Sequence, residues 1–232
     1  MNAVITGGTK GLGRAIADLL ASKGINLFVC SRNESDLEEM KFTIEKNNNS
    51  KVQTTVVDMS VKAEVQAFAA NILKNVEQID ILVNNAGMFI PGALADEEDG
   101  ALEQMINTNL YSAYYLTRAL LPSMMDRRNG HIFNICSVAS KIAYPNGGSY
   151  SISKFALLGF SKVLREELKD NAIKVTSVLP GATWSNSWAG IDLPRERLME
   201  ANDIAIAIWG ALQMSSSAVI EEIVLRPQLG DL

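Results

Sequence analysis

The chain has 232 residues, with 21 lysines and arginines against 26 aspartates and glutamates, so its formal net charge is −5. Apolar residues make up 47% and charged residues 20%, which is typical of a globular domain and excludes disordered, collagen-like and coiled-coil chains. The acidic balance without a basic block argues against nucleic acid as a partner, and no apolar run is long enough to cross a membrane. We expect a cytoplasmic protein, because the N-terminus lacks a signal-peptide pattern and two cysteines form no disulfide framework.

Short apolar runs alternate with longer amphipathic stretches along the whole chain. The apolar runs predict strands at 3–6, 26–30, 52–57, 79–83, 131–136, 173–179 and 219–225. Helical periodicity predicts helices at 12–23, 34–46, 61–76, about 100–127, 150–169 and 203–214. This alternation of strands and helices is typical of a parallel sheet that is buried on both faces. We therefore predict a single α/β domain over residues 1–232, with a doubly wound parallel sheet of about seven strands and helices on both faces.

A glycine-rich segment, TGGTKGLG at residues 6–13, follows the first predicted strand and opens directly into a helix. Glycines let the backbone approach a pyrophosphate closely, and a helix N-terminus offers it free N–H groups and a partial positive charge. The spacing is G-x-x-x-G-x-G, which differs from the commonest dinucleotide fingerprint. The segment predicts a nucleotide-binding turn, and the alternative is a plain tight turn between strand and helix.

The residues after the second predicted strand bear on the choice of dinucleotide. An acidic residue at this place would bind the ribose 2′-hydroxyl of NAD, whereas an arginine accommodates the 2′-phosphate of NADP. The chain has Ser31 and Arg32 here and no acidic residue before Glu34, and Lys10 in the glycine-rich segment offers a second cation. This pattern predicts NADP, with a solvated surface arginine as the alternative.

A serine, a tyrosine and a lysine follow the fifth predicted strand in a pattern that suits proton transfer. Ser137 comes directly after the strand, and Tyr150 and Lys154 lie four residues apart, on one face of a predicted helix. An ammonium group near a phenol favours phenolate and lowers the tyrosine pKa from about 10, which makes the phenol a usable general acid or base. The Y-x-x-x-K pattern alone is weak, and its weight comes from the ordered set of motifs at strand ends.

The motifs TGGTKGLG, VDMS, NNAG, NTNLYS, NICS, YSISK and LPG resemble, in order and spacing, the short-chain dehydrogenase/reductase family in its short single-domain branch. The resemblance implies a Rossmann-type sheet with strand order 3-2-1-4-5-6-7. It also implies an oxidoreductase that transfers hydride between NADP(H) and a carbonyl or secondary alcohol of a small substrate. Two alternatives remain: a non-catalytic dinucleotide-binding regulator, which would not need Ser137, Tyr150, Lys154 and Asn109, and another chemistry such as epimerisation or dehydration.

The resemblance assigns roles to individual residues. Tyr150 exchanges a proton with the substrate oxygen, Ser137 hydrogen-bonds that oxygen, and Asn109 positions a proton-relay water. Lys154 holds the nicotinamide ribose and lowers the Tyr150 pKa. Asp58 contacts the adenine, and residues 84–87 line the adenine ribose. The implied cofactor contacts besides Tyr150 and Lys154 are Gly7, Thr9, Lys10, Gly11, Leu12, Gly13, Ser31, Arg32, Asp58, Met59, Asn84, Asn85, Ala86, Gly87, Pro180, Gly181, Thr183 and Ser185.

The substrate pocket is predicted to be apolar, with residues 182–203 as a lid segment. Trp184 and Trp188 lie four residues apart and form either an apolar face against the core or a cover over the substrate. We favour the cover for at least one of them, because loops at the ligand edge carry function. Ala139 and Tyr144 are expected opposite the lid. The identity of the substrate and the direction of the reaction stay open.

Other features are interpreted as structural. His131, the only histidine, is expected to have a structural role, and no metal site is predicted because zinc needs three or four clustered ligands. Cys30 and Cys136 should be free thiols, since the implied strand order separates them by three strand steps, ~14 Å. The acidic run 96–99 is interpreted as the start of a helix. The helices around 100–127 and 150–169 are apolar on more than one face, which predicts a homodimer or homotetramer.

Overall fold

The computed structural model describes residues 1–184 and 193–230. Seven parallel strands form one sheet in the order β3-β2-β1-β4-β5-β6-β7, which confirms the predicted strand order and the Rossmann-type fold. The strands are β1 (Asn2–Thr6), β2 (Asn26–Ser31), β3 (Val52–Val56), β4 (Ile81–Asn84), β5 (Gly130–Ile135), β6 (Ile173–Pro180) and β7 (Glu222–Leu225). The helices are α1 (Gly11–Ser22), α2 (Glu34–Asn47), α3 (Lys62–Asn75), α4 (Ala101–Ile106), α5 (Ser112–Arg127), α6 (Gly148–Leu168) and α7 (Ala201–Leu212).

Two apolar cores lie on opposite faces of the sheet. One contains side chains of α1, α2 and α7, and the other contains side chains of α3, α5 and α6. Successive residues of β1 alternate between them, since Ala3 and Ile5 belong to the first core and Val4 belongs to the second. This burial on both sides explains why the strands are near-continuous apolar runs in the sequence.

The chain is helical without a break from Ala101 to Arg127, close to the predicted helix at about 100–127, but it is not α-helical throughout. A π-helical turn at Asn107–Tyr111 separates α4 from α5. The spacing of apolar residues in the sequence does not reveal this turn, because α4 and α5 both bury residues on the same side of the helix. Such turns are rare and occur frequently at functional sites, and this one contains Asn109.

Within the described residues, none of the helices has the length and apolar character needed to cross a membrane. The same part of the chain contains no group of three or more histidine, cysteine or acidic side chains placed to hold a metal ion. Both cysteines are free and buried, as predicted. His131 is the second residue of β5, where its Nε2 lies 2.7 Å from Thr176 Oγ1, and burial lowers its pKa to about 3.

Candidate active site

The glycine-rich turn after β1 depends on glycine for its shape. Gly7 and Gly11 have positive φ angles of 62° and 53°, in the left-handed region that glycine adopts without strain. A Cβ on Gly13 would overlap the carbonyl oxygen of Gly7. The Asn85 side chain fixes the turn from the neighbouring strand, because its Nδ2 donates to the carbonyl oxygens of Thr6 at 2.8 Å and of Gly7 at 3.0 Å.

The start of α1 has the donor set that a pyrophosphate requires. In the described part of the chain, the N–H groups of Gly11, Leu12 and Gly13 have no backbone acceptor, and the Lys10 side chain does not cap the helix. Free N–H groups at the positive end of a helix form a ready-made site for phosphate oxygens. The residues of this turn therefore fit a dinucleotide.

The residues at the end of β2, which are expected to contact a 2′-phosphate, lie next to the glycine-rich turn. Thr9 Oγ1 donates to Ser31 Oγ at 3.1 Å, which joins the glycine-rich turn to the end of β2. Arg32 is exposed. The pKa of Asp58 is lowered, mainly by hydrogen bonds from Ser60 and to a smaller extent by the positive charge of Arg32. Lys10 forms an exposed ion pair with Asp36 at 2.6 Å, and its contact with this phosphate as a second cation stays a prediction.

Two residues expected to contact the adenosine half of the cofactor direct their side chains into the core. Asn84 Nδ2 donates to Asn134 Oδ1 at 2.8 Å and to Thr117 Oγ1 at 3.0 Å. Met59 is buried, and its sulfur lies 3.5 Å from that of Cys30. These side chains join neighbouring strands and are buried, so a contact of either residue with the cofactor would be made by its backbone.

Ser137, Tyr150 and Lys154 come together as predicted. Ser137 follows β5 and accepts a hydrogen bond from the Ala139 N–H at 3.1 Å, whereas Tyr150 and Lys154 lie one turn apart in α6. Lys154 Nζ donates to the carbonyl oxygen of Ile135 at 2.9 Å and lies 5.8 Å from the centre of the Tyr150 ring. The Ser137 hydroxyl interacts with the Tyr150 phenol.

Burial shifts the pKa values of Tyr150 and Lys154 in opposite directions, each toward the neutral form of its side chain. Burial raises the pKa of Tyr150, and the hydrogen bond with Ser137, which lowers it, does not compensate. The same kind of burial lowers the pKa of Lys154 to about 8. Desolvation penalises the charged phenolate, so the pKa of Tyr150 lies above its ordinary value, and a lowering of that pKa by Lys154 stays a prediction.

The Asn109 side chain is occupied within the fold. Its Oδ1 accepts from the Met88 N–H at 2.7 Å, and its Nδ2 donates to the Met88 carbonyl at 3.0 Å and to Ser153 Oγ at 2.9 Å. The Cβ position of Gly87 is 3.3 Å from Asn109 Oδ1 and 3.5 Å from Lys154 Nζ, so glycine leaves space between these groups. Positioning of a relay water by Asn109 stays a prediction.

The residues expected to contact the nicotinamide follow β6 and lead into the lid segment. Gly181 N–H donates to the Leu225 carbonyl at 2.8 Å, and Thr183 Oγ1 donates to the Gly181 carbonyl at 2.9 Å, directly after Pro180. A single bridge between Thr183 and Met199 joins the two ends of the lid segment. Ser185 and Trp188 lie outside the described residues.

Two aromatic side chains, Phe89 and Tyr144, lie close to Tyr150. Phe89 packs its ring against Tyr150 at 4.9 Å between centroids with an interplanar angle of 76°, and 42% of Phe89 is exposed. Tyr144 lies close enough for Tyr150 to contribute to its pKa, which burial raises to about 12. Trp184 is exposed, with the Arg195 guanidinium 5.9 Å from its ring centre. Ala139, expected to line this pocket, is completely buried and offers it no surface.

Phe89 was not identified from the sequence. The signal available was an apolar segment, Met88 to Ile90, directly after the NNAG motif. That pattern indicates no particular member of the segment, because the backbone there is irregular and has no helical or strand period.

Comparison with known proteins agrees with this geometry. The family model for short chain dehydrogenase matches residues 1–194. Sepiapterin reductase of Chlorobaculum tepidum is 35% identical, over 99% of this chain and 97% of that protein. Alcohol dehydrogenase of the archaeon Thermococcus sibiricus, solved with 5-hydroxy-NADP, has a TM-score of 0.92 and 26% identity over 98% and 96% of the two chains. A metagenomic short-chain oxidoreductase, solved with NADP, has a TM-score of 0.86 and 30% identity over 98% and 97%. The chain belongs to the short-chain dehydrogenase/reductase family of oxidoreductases.

Proposed function

We propose that the protein is an NADP(H)-dependent oxidoreductase that acts on a carbonyl or secondary alcohol of a small, largely apolar substrate, with Tyr150 as the general acid or base. The observation that carries this proposal is the convergence of Ser137, Tyr150 and Lys154 at the carboxyl end of β5. A binding protein that only sensed the cofactor would need no pair of hydroxyl groups beside a buried lysine.

The nicotinamide supplies or accepts the hydride when it is bound, and the protein manages the oxygen. A carbonyl oxygen that receives negative charge needs hydrogen-bond donors, and Ser137 and Tyr150 offer two hydroxyl groups on the same side of the site. Because its pKa is raised, Tyr150 is protonated at neutral pH and is ready to give its proton to an alkoxide. This state suits reduction of a carbonyl better than oxidation of an alcohol.

The choice of NADP over NAD rests on the residues after β2. Arg32 is exposed beside the linked hydroxyls of Thr9 and Ser31, and no acidic residue follows the strand before Glu34. A guanidinium group grips a phosphate through two parallel hydrogen bonds. The presence of NADP or a derivative of it in two similar structures supports the same choice.

The proposed substrate class is supported by the aromatic rings of Phe89 and Tyr144 close to Tyr150, and by the exposed Trp184 of the lid segment. Pockets lined in this way take apolar ligands, with a few polar groups that fix the orientation. The similarity to a protein named sepiapterin reductase favours the reductive direction and makes sepiapterin one of the first compounds to test.

The test is oxidation of NADPH, followed at 340 nm, against ketones, diketones, acyl-thioester mimics and sepiapterin. We expect turnover of at least one member, faster with NADPH than with NADH. Tight NADPH binding without turnover of any member would favour the non-catalytic regulator instead, and faster turnover with NADH would contradict the choice of cofactor.

The protein is also proposed to be a homodimer or homotetramer in the cytoplasm, where its two free thiols stay reduced. Several large apolar side chains are exposed in the single chain. Ile152, Phe155 and Val163 belong to α6, and Tyr111 lies just before α5. A helix that is apolar outside its core-facing stripe is usually buried a second time. Light scattering should give two or four times the mass of one chain, and the mass of a single chain at micromolar concentration would contradict this.

A further inference from the structure

The segment between β4 and α4 lies across the start of α6. Gly92 N–H donates to the Asn146 carbonyl at 3.1 Å, and Gly148 N–H donates to the Gly92 carbonyl at 3.3 Å. These two bonds form a parallel bridge between Gly92 and Gly147, outside the main sheet. The segment is therefore attached by its backbone to the residues that precede Tyr150.

Glu97 makes a second attachment through its side chain. Its Oε1 accepts from the Ser149 N–H at 2.8 Å, and its Oε2 accepts from the Ser149 hydroxyl. Ser149 is the second residue of α6, and the N-cap residue Gly147 has no side chain with which to cap the helix. Glu97 thus supplies, from 52 residues away, the carboxylate that a helix N-terminus favours.

Glycines make room for this contact. A Cβ on Gly148 would lie 2.7 Å from Glu97 Oε1, and a Cβ on Gly92 would lie 2.7 Å from Glu97 Cγ. Both distances are too short for real side chains, so a larger residue at either position would displace the carboxylate. Among the four acidic residues at 96–99, Glu97 alone is partly buried, and the other three are exposed.

The other end of the same segment touches the reacting group. Phe89 packs edge-on against the Tyr150 ring, and the Met88 backbone next to it is held on both sides by the Asn109 amide. Tyr150 directly follows Ser149. A displacement of the segment at Glu97 would therefore disturb both the first turn of α6 and the aromatic contact with Tyr150.

We infer that Glu97 is a positioning residue, which fixes residues 88–97 on the first turn of α6 and thereby orients Tyr150 and its aromatic neighbour Phe89. Glu97 does not touch the reacting atoms, and it acts through Ser149 and Gly92. The inference rests on the proposed function for its catalytic consequence only, because the contacts themselves do not depend on any substrate.

The test compares Glu97→Ala with Glu98→Ala, a matched change at the exposed neighbouring carboxylate. Hydrogen–deuterium exchange on the full chain needs no substrate. In Glu97→Ala, exchange should become about tenfold faster in residues 88–97 and in residues 146–153 together, with the central strands unchanged. Glu98→Ala should match the wild type. Faster exchange limited to 92–99, or a parallel rise in every peptide, would overturn the inference.

The catalytic arm uses 1-phenyl-1,2-propanedione, which has an aromatic ring, and 2,3-butanedione, which has none. In Glu97→Ala, kcat should fall about tenfold or more, the KM for NADPH should stay within about twofold, and the phenyl substrate should lose more. An equal loss in Glu98→Ala, or an unchanged kcat, would overturn the inference. If the wild type reduces neither compound nor any other carbonyl, the proposed function fails, while the exchange result still decides the role of Glu97.

Should Glu97→Ala not fold, Glu97→Gln serves with Glu98→Gln as its control. Glutamine keeps one acceptor for the Ser149 N–H but loses the charge at the helix N-terminus. The same changes are expected in the same two segments, about two- to threefold in size. A Glu97→Gln variant that is indistinguishable from Glu98→Gln would overturn the inference.

Discussion

Lys154 and Tyr150 form a pair in which each group is shifted toward its neutral form. The Lys154 Nζ atom lies 5.8 Å from the centre of the Tyr150 ring and is held there by a hydrogen bond to the Ile135 carbonyl. Burial raises the pKa of Tyr150 and lowers that of Lys154 to about 8. The protein therefore keeps a proton on the phenol at neutral pH, and the lysine is the first of the two groups to titrate as pH rises.

The buried lysine should make stability depend on pH. Its pKa is 10.5 in a model compound and about 8 in the folded protein, so between these values the unfolded chain binds the proton that the folded protein has released. The contribution of Lys154 to stability is therefore complete above pH 10.5 and is lost as pH falls through about 8. As pH rises from about 8 to 10.5, the unfolding free energy of the wild type should increase by about 3 kcal/mol more than that of Lys154→Met.

Urea unfolding of both proteins, without added cofactor, from pH 7.5 to 10.5 measures this difference. Titrations that the two proteins share cancel in the comparison. A difference between wild type and Lys154→Met that does not change with pH would contradict the lowered pKa.

Arg32 should determine the preference for NADPH. Arg32→Asp removes a charge-assisted bond to the 2′-phosphate and adds repulsion, so NADPH binding should weaken by about 2–4 kcal/mol, with a much smaller effect on NADH. Lys51→Asp makes the same change of charge at an exposed residue that precedes β3, at the opposite end of that strand from the cofactor site, so it should cost less than about 1 kcal/mol. Titration of each variant with both cofactors checks this.

Salt adds an independent check on the same contact. Because the contact is ionic and near the surface, added salt should weaken NADPH binding more than NADH binding. Equal losses in Arg32→Asp and Lys51→Asp, or equal affinity of the wild type for both cofactors, would contradict the role of Arg32.

The two thiols should be unreactive in the folded protein. Both are buried, and burial raises the pKa of Cys30 to about 12 and that of Cys136 to about 11. At pH 8 the thiolate fraction of Cys136 is roughly a few hundredfold below that of a free cysteine, and thiolate is the reactive form. Labelling with a thiol reagent should therefore be slow until urea is added, after which two groups per chain react. Rapid labelling of either thiol in the native state would contradict its placement.

The strand order was implied by the family resemblance, whereas the meeting of Ser137, Tyr150 and Lys154 was predictable from the sequence for a physical reason. Parallel strands bring their carboxyl ends to one edge of the sheet, so residues that follow separate strands meet there. Short-range spacing then aligns Tyr150 with Lys154 on one helix face. These inferences need only the order of elements and the helical period.

The contacts that sequence analysis missed depend on side-chain packing between distant segments. The acidic run at 96–99 was interpreted as a helix start, yet α4 begins at Ala101 and Glu97 caps a different helix, 52 residues further along the chain. The Asn84 side chain bonds to Asn134 in the core, a partner that the sequence does not indicate, and a backbone contact of Asn84 with the cofactor stays a prediction. Residue type and spacing do not determine which of several partners a polar side chain meets.

The most direct test of the proposed mechanism is kcat of NADPH-dependent carbonyl reduction in Tyr150→Phe, with the dissociation constant for NADPH measured on the same sample. The phenylalanine ring keeps its packing against Phe89 but lacks the proton donor. We predict that kcat falls about 10²- to 10⁴-fold, whereas the dissociation constant stays within about twofold of the wild-type value. A variant that keeps most of the wild-type kcat would show that Tyr150 is not the general acid.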